Sequence, residues 1–590
     1  MLRTDDVSNQ LSSVAETRRF RWRMRNGINV PCLEFVKHRR NKLLGEFLVP
    51  ENEQNLLRAL PKPELMMGVC EGAERLVRAI ENNEKIFVYA DYDVDGLSAA
   101  AMVRTFFREL NFPIEIYIPD RFSEGYGLNP TGVDRIHSQG GSVIVTVDNG
   151  ISAQQGCLRA QELGIDVVVT DHHDVPPELP VAMALLNPKQ KDCAYPYKGL
   201  AGVGVAFQLL AALRAKLREI SVQSVRDLAQ KMNLRQYLDF VALGTIADMA
   251  PLDGVNHILC KTGLLVLREN IVAGRRPGVA ALLELAGWKN DRPLSSDDVG
   301  FQIGPRLNAA GRLGSAYASE EILHTTDTVR ARHLAQDLDA ENRQRQTIER
   351  ATTQAAIEKV EGMSSLPNAI VVGDPAWNPG VVGLVASRLV ERYYRPTLVF
   401  GENNGKLRFS GRSTHAVDLF GVLDSVRDQF LAFGGHYYAI GLTLESERID
   451  WLINYVNTEV GRIVSSDDRL KPLDLDAEIS LESLDKTLLS SMEILEPFGV
   501  ANPRPKWLVR NAEIVHVKRI GKDRSANHAR ILLNDGTSEA WLTAFTMAED
   551  FESAHASQHR VDVVVDGRMQ VWNGERRTEL RLLDCNVRRH

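Results

Sequence analysis

Four short apolar runs constrain this chain most: KIFVYA (85–90), IEIYIP (114–119), SVIVTV (142–147) and DVVVT (166–170). Helix-forming stretches such as LSAAAMVRTFFREL and SAQQGCLRAQELG lie between them. The runs are continuously apolar rather than alternating, so both faces must be covered. Strands of that kind alternating with helices predict a parallel sheet with helices on either side. Three of the runs end in acids. Asp91, Asp93 and Asp95 follow the first, Asp148-Asn149-Gly150 the third, and Asp171-His172-His173 the fourth. The C-terminal edge of such a sheet is where ligands bind.

If the chain stays extended past Ala90, period-2 geometry sends Asp91, Asp93 and Asp95 to one side. Crowded like charges raise each other's pKa unless positive charge sits among them. Asp248, in GTIADMAPL at the end of a predicted helix, adds a fourth acidic position. One Asp after a strand is ordinarily a cap or turn residue. Four matched clusters, one with adjacent histidines, form a ligand set for a pair of divalent cations clamping a phosphate. Oxygen ligands alone suit Mg²⁺, and an imidazole moves the preference toward Mn²⁺.

At 590 residues the chain exceeds one hydrophobic core, and three or four domains are expected. The net charge of −7 excludes nucleic-acid binding through bulk charge and leaves local grooves lined with Arg and Lys. Six scattered cysteines without a CxxC pair fit a reducing compartment. The N-terminus has no apolar leader and no run is long enough for a membrane span, which predicts a cytoplasmic protein without a membrane partner.

The predicted organisation is a mostly helical lead-in over 1–80, with the basic clusters RRFRWRMR and KHRRNK, and an α/β domain over 81–325. A long polar helix over 326–362 contains no Pro, and a polar helix of that length reads as a bridge. A second α/β domain covers 363–465, and a small all-β barrel covers 466–590, its strands counted from ILEPFGVANPRPKWLVRNAEIVHVKRI onward.

DYDVDG, PDRFSEGYGL, VDNG, TDHH and GTIADMAPL, in that order, resemble the successive motifs of the DHH phosphoesterases. With IGPRLNAAGRL, GVVGLVASRLVERYYRPT, FSGRS and GGH, the pattern over 80–590 resembles the RecJ family of 5′→3′ single-strand-specific DNA exonucleases. The resemblance implies a parallel-sheet DHH domain, the connecting helix, a second α/β domain called DHHA1 and a C-terminal OB-fold. It implies that Asp93 and Asp148, joined by Asp91, hold one cation. Asp95, Asp148, His172 and Asp248 hold the other, with Asp148 shared. His173 then lies near the attacked phosphate as hydrogen-bond donor or general acid, and Asp171 orients the histidine pair. The nucleophile is derived from water, so no protein nucleophile is required.

The resemblance also implies that Arg408, Ser410 and Arg412, with Gly434, Gly435 and His436, bind phosphate, and that a single strand threads between the two α/β domains. Arg306, Asn308 and Arg312 either brace the sheet rim or contact the DNA backbone, and Tyr126 either stacks on a base or fills a loop. In the barrel, Lys518, Arg519, Lys522 and Arg524 form a basic cluster, while Trp507, Trp541 and Trp572 are either stacking residues or core. The family's partners are single-stranded DNA, single-strand-binding protein and a helicase. Two departures stand out. Asn378 occupies a position where the family pattern has His, and Tyr437 and Tyr438 follow the GGH where small residues are usual. The rival readings are a phosphoesterase of short oligonucleotides or cyclic dinucleotides, for which two catalytic domains suffice, and a non-enzymatic scaffold, which would have lost ligands.

Overall fold

The computed structural model describes residues 20–24, 32–47, 53–120, 124–313, 315–403, 405–465, 467–521, 527–572 and 575–588. They form two compact units. The first is Val36–Gln344 with Ile494–Arg504; the second comprises the described parts of Met1–Phe35, Arg345–Glu493 and Pro505–His590.

The first unit is built on a five-stranded sheet of β1 (Ile86–Ala90), β2 (Ile114–Tyr117), β3 (Val143–Val147), β4 (Asp166–Thr170) and β5 (Ala184–Leu186). The spatial order is β2-β1-β3-β4-β5 and every pair is parallel. β1 and β3 are buried throughout, as continuous apolar runs require. Separate apolar clusters cover the two faces, one through Val88, Val145 and Val168, the other through Phe87, Ile144 and Val167. The strand order reverses its winding between β1 and β3, which opens a crevice at their C-terminal ends. Register aligns Ala90 with Val147 and Val147 with Thr170. The next residues, Asp91, Asp148 and Asp171, therefore leave the sheet side by side. The same unit holds α1 (Val94–Glu109), α2 (Gly202–Leu217), α3 (Leu238–Ala247), α4 (Gly304–Leu313) and the first part of the long helix α5 (Thr328–Glu361), whose residues from Arg345 on belong to the second unit.

The second unit holds β6 (Ile370–Gly373), β7 (Thr397–Asn403), β8 (Lys406–Arg412), β9 (Ala432–His436) and β10 (Ala439–Leu444) in the order β9-β10-β8-β7-β6, with α6 (Val382–Tyr393). β6 and β7 are parallel and the other pairs antiparallel. A closed barrel follows, made of strands Trp507–Ile520, His528–Asn534, Glu539–Ala544, Val561–Trp572 and Glu575–Val587.

The described part of the lead-in, expected to be mostly helical, holds one strand beside its helices: Phe20–Met24, paired in parallel with Lys471–Leu475. Its period-2 signature, aromatic residues alternating with Arg21 and Arg23, was the signal, and Phe20 and Trp22 pack on Leu473 and Leu475. The stretch ILEPFGVANPRP is not a strand. Pro497, Pro503 and Pro505 cannot donate to a ladder. Instead Ile494–Arg504 lies on the first unit, where Val500 O accepts from Leu252 N at 2.7 Å and Phe498 O from Ser296 Oγ at 2.6 Å. Among the described residues no helix is long and apolar enough to cross a membrane.

Candidate metal centre

Asp91 leaves β1 and its Oδ1 accepts the Tyr92 N–H at 2.7 Å. Asp93 caps α1, accepting from the backbone N–H of Asp95 at 2.9 Å and Gly96 at 3.3 Å. The chain therefore turns helical within the triplet, and Asp95 sits in the first turn of α1 instead of continuing an extended row. The fully buried Asp95 carboxylate is fixed by the N-terminus of α2, with Gly202 N at 2.6 Å and Val203 N at 2.9 Å. Asp148 is buried and holds φ +63°, a left-handed backbone that is uncommon for non-glycine residues. Asp171 accepts from His172 N at 2.7 Å and Ile151 N at 2.9 Å, and its Oδ1 lies 2.7 Å from His173 Nδ1. Asp248 is the residue that ends α3.

His172 Nε2 lies 3.1 Å from Asp148 Oδ1 and 3.8 Å from both Asp95 Oδ2 and Asp248 Oδ2. Three groups have ligand atoms mutually within 4.8 Å: Asp91-Asp93-Asp148, Asp95-His172-Asp248 and Asp148-His172-His173. Asp148 and His172 each belong to two of them.

Burial, then repulsion from Asp93, pushes Asp95 up to about 7, although the Val203 and Gly202 amides pull the other way. Burial and then Asp95 push Asp248 up to about 9. Asp148 stands well above the carboxylate range through burial and the charges of Asp95, Asp93 and Asp91. Burial and the His173 charge lower His172 to about 3, so its imidazole is neutral. His173 goes the other way: burial lowers it, but Asp171 outweighs burial and carries it up to about 9. Burial raises Asp171, yet bonding to His173 and the Ile151 amide brings it below the usual range. Two buried ligand atoms of the site have no hydrogen-bond partner, Asp148 Oδ1 and His172 Nε2. With its imidazole neutral and Nε2 unpartnered, His172 has a ring nitrogen suited to a cation. Crowded acids, a neutral imidazole and orphaned donor atoms fit a pair of hard-to-borderline divalent cations.

Sequence reasoning missed the glycines that make room. A Cβ at Gly202 would lie 2.6 Å from Asp148 Oδ1, and one at Gly244 would lie 2.5 Å from Asp95 Oδ1. The cluster GLAGVG opening α2 was the available signal. Asn187, also missed, donates to the His173 carbonyl at 2.9 Å.

The residues offered for DNA contact divide. Asn308 Oδ1 accepts the Val94 N–H at 3.2 Å, so it holds the strand-to-helix turn of the metal motif. Arg306 is a brace, its Nε 2.9 Å from Asp339 on α5 and its Nη1 donating to Gln302 O. Arg312 is half-buried at the end of α4. Tyr126 is 48% exposed, but its hydroxyl lies 3.2 Å from both the Asp148 carbonyl and His173 Nδ1. These contacts tie the Tyr126 hydroxyl to Asp148 and His173.

In the second unit Arg408, Ser410 and Arg412 share one face of β8, opposite the buried Leu407, Phe409 and Gly411. Arg412 Nη1 donates to Ser410 Oγ at 3.2 Å, and both side chains lie against Gly383 in the first turn of α6. Gly434, Gly435 and His436 are exposed in the edge strand β9 and form no separate loop. Asn378 Oδ1 accepts from Gly380 N at 2.8 Å, a turn that Asn forms well. Tyr437 donates to the His415 carbonyl. In the barrel, Trp507 is core, whereas Trp541 is 39% exposed with the Arg530 guanidinium 5.3 Å from its ring centre. Arg519 is paired with Glu552 at 2.7 Å, and Lys518 is exposed. Lys522, Arg524 and the Trp572 side chain lie outside the described residues.

Residues 85–245 match the DHH family N-terminal domain, 366–462 the DHHA1 domain and 475–584 the RecJ OB domain. The chain is 36% identical over 527 residues to the single-stranded-DNA-specific exonuclease RecJ of Bacillus subtilis, covering 89% of this chain and 64% of that protein, so it falls short of two thirds of that relative's length. It is 42% identical over 409 residues to the Escherichia coli protein of the same name, covering 68% and 70% of the two chains. The crystal structure of Thermus thermophilus RecJ in complex with Mn²⁺ superposes with a TM-score of 0.77 at 27% identity, over 97% of this chain and 80% of that one. With the three domain models, the identities and the fold in agreement, the chain belongs to the RecJ family of the DHH superfamily.

Proposed function

We propose that this chain is a hydrolase that degrades single-stranded DNA from an end, 5′→3′, with two divalent cations, Mn²⁺ ahead of Mg²⁺, in DNA repair and recombination. The observation that carries the reading is the convergence of Asp91, Asp93 and Asp148 with Asp95, His172 and Asp248, the two groups meeting where His172 Nε2 lies 3.1 Å from the orphaned Asp148 Oδ1. Relatives named as single-stranded-DNA-specific exonucleases and a relative's Mn²⁺ complex support it. All the acidic and histidine ligands are present, which speaks against a scaffold.

Asp91, Asp93 and Asp148 would hold one cation, and Asp95, His172 and Asp248 with Asp148 the other. Bound there, the pair supplies Lewis acidity and a lowered pKa for water. The rest is work for the chain's own groups. Asp171 keeps His173 protonated and oriented, so that its imidazolium can donate to a phosphoryl oxygen. Tyr126 limits where that ring can turn. Arg408, Ser410 and Arg412 bind backbone phosphates, and Gly434, Gly435 and His436 admit the strand close to the β9 backbone. Single-strand-binding protein and a helicase are the protein partners, and the cytoplasm is the compartment, by family resemblance.

The test is degradation of long single strands labelled at either end, with Mn²⁺, Mg²⁺ or chelator. Mn²⁺-dependent loss of the 5′ label first is expected. A marked preference for a dinucleotide, or unchanged degradation by Asp148→Ala, overturns the reading.

A further inference from the structure

Among the described residues the two most exposed large apolar side chains are Phe301, at 71%, and Met249, at 70%. Met249 directly follows Asp248, and Phe301 belongs to the π-helical turn Asp298–Ile303 that runs into α4. The two elements touch: a Cβ at Gly304 would lie 3.5 Å from the Ala247 Cβ. α4 in turn carries Asn308, which holds the Asp93-containing turn.

Neither side chain is a casual surface residue. Met249 is held at φ +61°, a backbone state that costs free energy for a bulky residue and that clusters at functional sites. π-Helical turns are likewise rare and concentrated at such sites. Isolated exposed apolar residues need no explanation, but two maximally exposed ones on unusual backbones, one adjoining Asp248 and the other in the turn that leads into the Gly304–Ala247 contact, do.

We infer that Met249 and Phe301 form an apolar shoulder on which the unpaired bases of the substrate strand rest as its phosphates reach the metal centre. The inference rests on the single-strand reading above and adds to it a determinant of substrate form. Every base has a π-face, so the contact tolerates any sequence. In a duplex those faces are stacked and paired, so the shoulder favours unpaired strands.

The test compares oligodeoxythymidylate with an abasic strand of the same length, both in Mn²⁺, for the wild type and Met249→Ala/Phe301→Ala. The double variant is expected to raise KM on oligodeoxythymidylate about tenfold, with kcat moving less than about twofold and KM on the abasic strand unmoved. Phe301→Trp, alone, is expected to keep the wild-type KM. An active wild type whose double variant weakens both strands equally, or neither, overturns the shoulder alone. A wild type inactive on both strands overturns the single-strand reading, and the shoulder with it.

Discussion

At the scale of single residues, Asp148 concentrates the conflict between stability and function. It is buried, left-handed in its backbone, pushed far up in pKa by burial and four neighbouring acids, and has an oxygen without a partner. Asn removes the charge and tolerates the left-handed region better. Asp148→Asn is therefore expected to raise the Tm of the chelator-treated protein by a few degrees while lowering Mn²⁺-dependent hydrolysis by roughly 10³-fold. Thermal scans in chelator and the end-label assay check the two halves. An equal or lower Tm would contradict the electrostatic account. The acids themselves were legible from strand ends alone. The shape of the opening triplet was not, because Asp93 spends its carboxylate on the α1 cap and so turns Asp95 into the helix. The roles of Asn308 and Arg306 were equally hidden, since their partners Val94 and Asp339 are distant in sequence.

At the scale of elements, the site depends on helix ends meeting strand ends. Gly202→Ala puts a methyl group 2.6 Å from Asp148 Oδ1 at the start of α2. A loss of about 1–3 kcal/mol in unfolding free energy and a fall of roughly tenfold in Mn²⁺ affinity are expected, by denaturant titration and calorimetry respectively. Wild-type Mn²⁺ affinity in that variant would show that α2 does not set the ligand geometry. The Arg306–Asp339 pair ties α4 to α5 with both side chains largely buried. Breaking such a pair leaves a buried charge, so Asp339→Ala is expected to destabilise by about 3 kcal/mol. Arg306→Ala separates bracing from DNA contact. As a brace it lowers Tm and leaves the salt dependence of DNA binding intact, whereas loss of a phosphate contact reduces the salt slope by about 1. Four strands of the first sheet and the long helix could be read from runs and periodicity, whereas Ala184–Leu186 and the antiparallel strands Lys406–Arg412, Ala432–His436 and Ala439–Leu444 could not. The Phe20–Met24 strand could not be placed, because its partner Lys471–Leu475 lies at the other end of the chain.

At the scale of the whole molecule, the acidic centre makes stability depend on pH and metal. Asp95 and Asp248 have folded pKa values raised to about 7 and about 9 above the carboxylate value of 3.8. Their neutral forms favour the fold at low pH, and that contribution is lost as pH rises from near 4 through 7 and 9. The stabilisation by Mn²⁺ over chelator is therefore expected to widen between about pH 5 and 8, each unit of pKa shift being worth about 1.4 kcal/mol at most. A gap in Tm that is constant with pH would refute this. His257 has the opposite sign. Burial, then Lys261, lowers it from 6.5 to about 3, so the stability it permits is complete above 6.5 and is lost as pH falls toward 3. His257→Gln should flatten the acid side of the stability profile. What the sequence by itself determined is the architecture of the α/β units and the barrel and the residue types gathered at the strand ends, because apolar periodicity and the runs of acids are local properties. Only the tertiary structure decided which carboxylates converge and which glycines make room for them. It also decided which polar side chains are tied to distant backbone or acids, and that Met249, next to Asp248, and Phe301 stand exposed. Those outcomes depend on register, close approach and burial between residues far apart in the chain, and no local pattern encodes them.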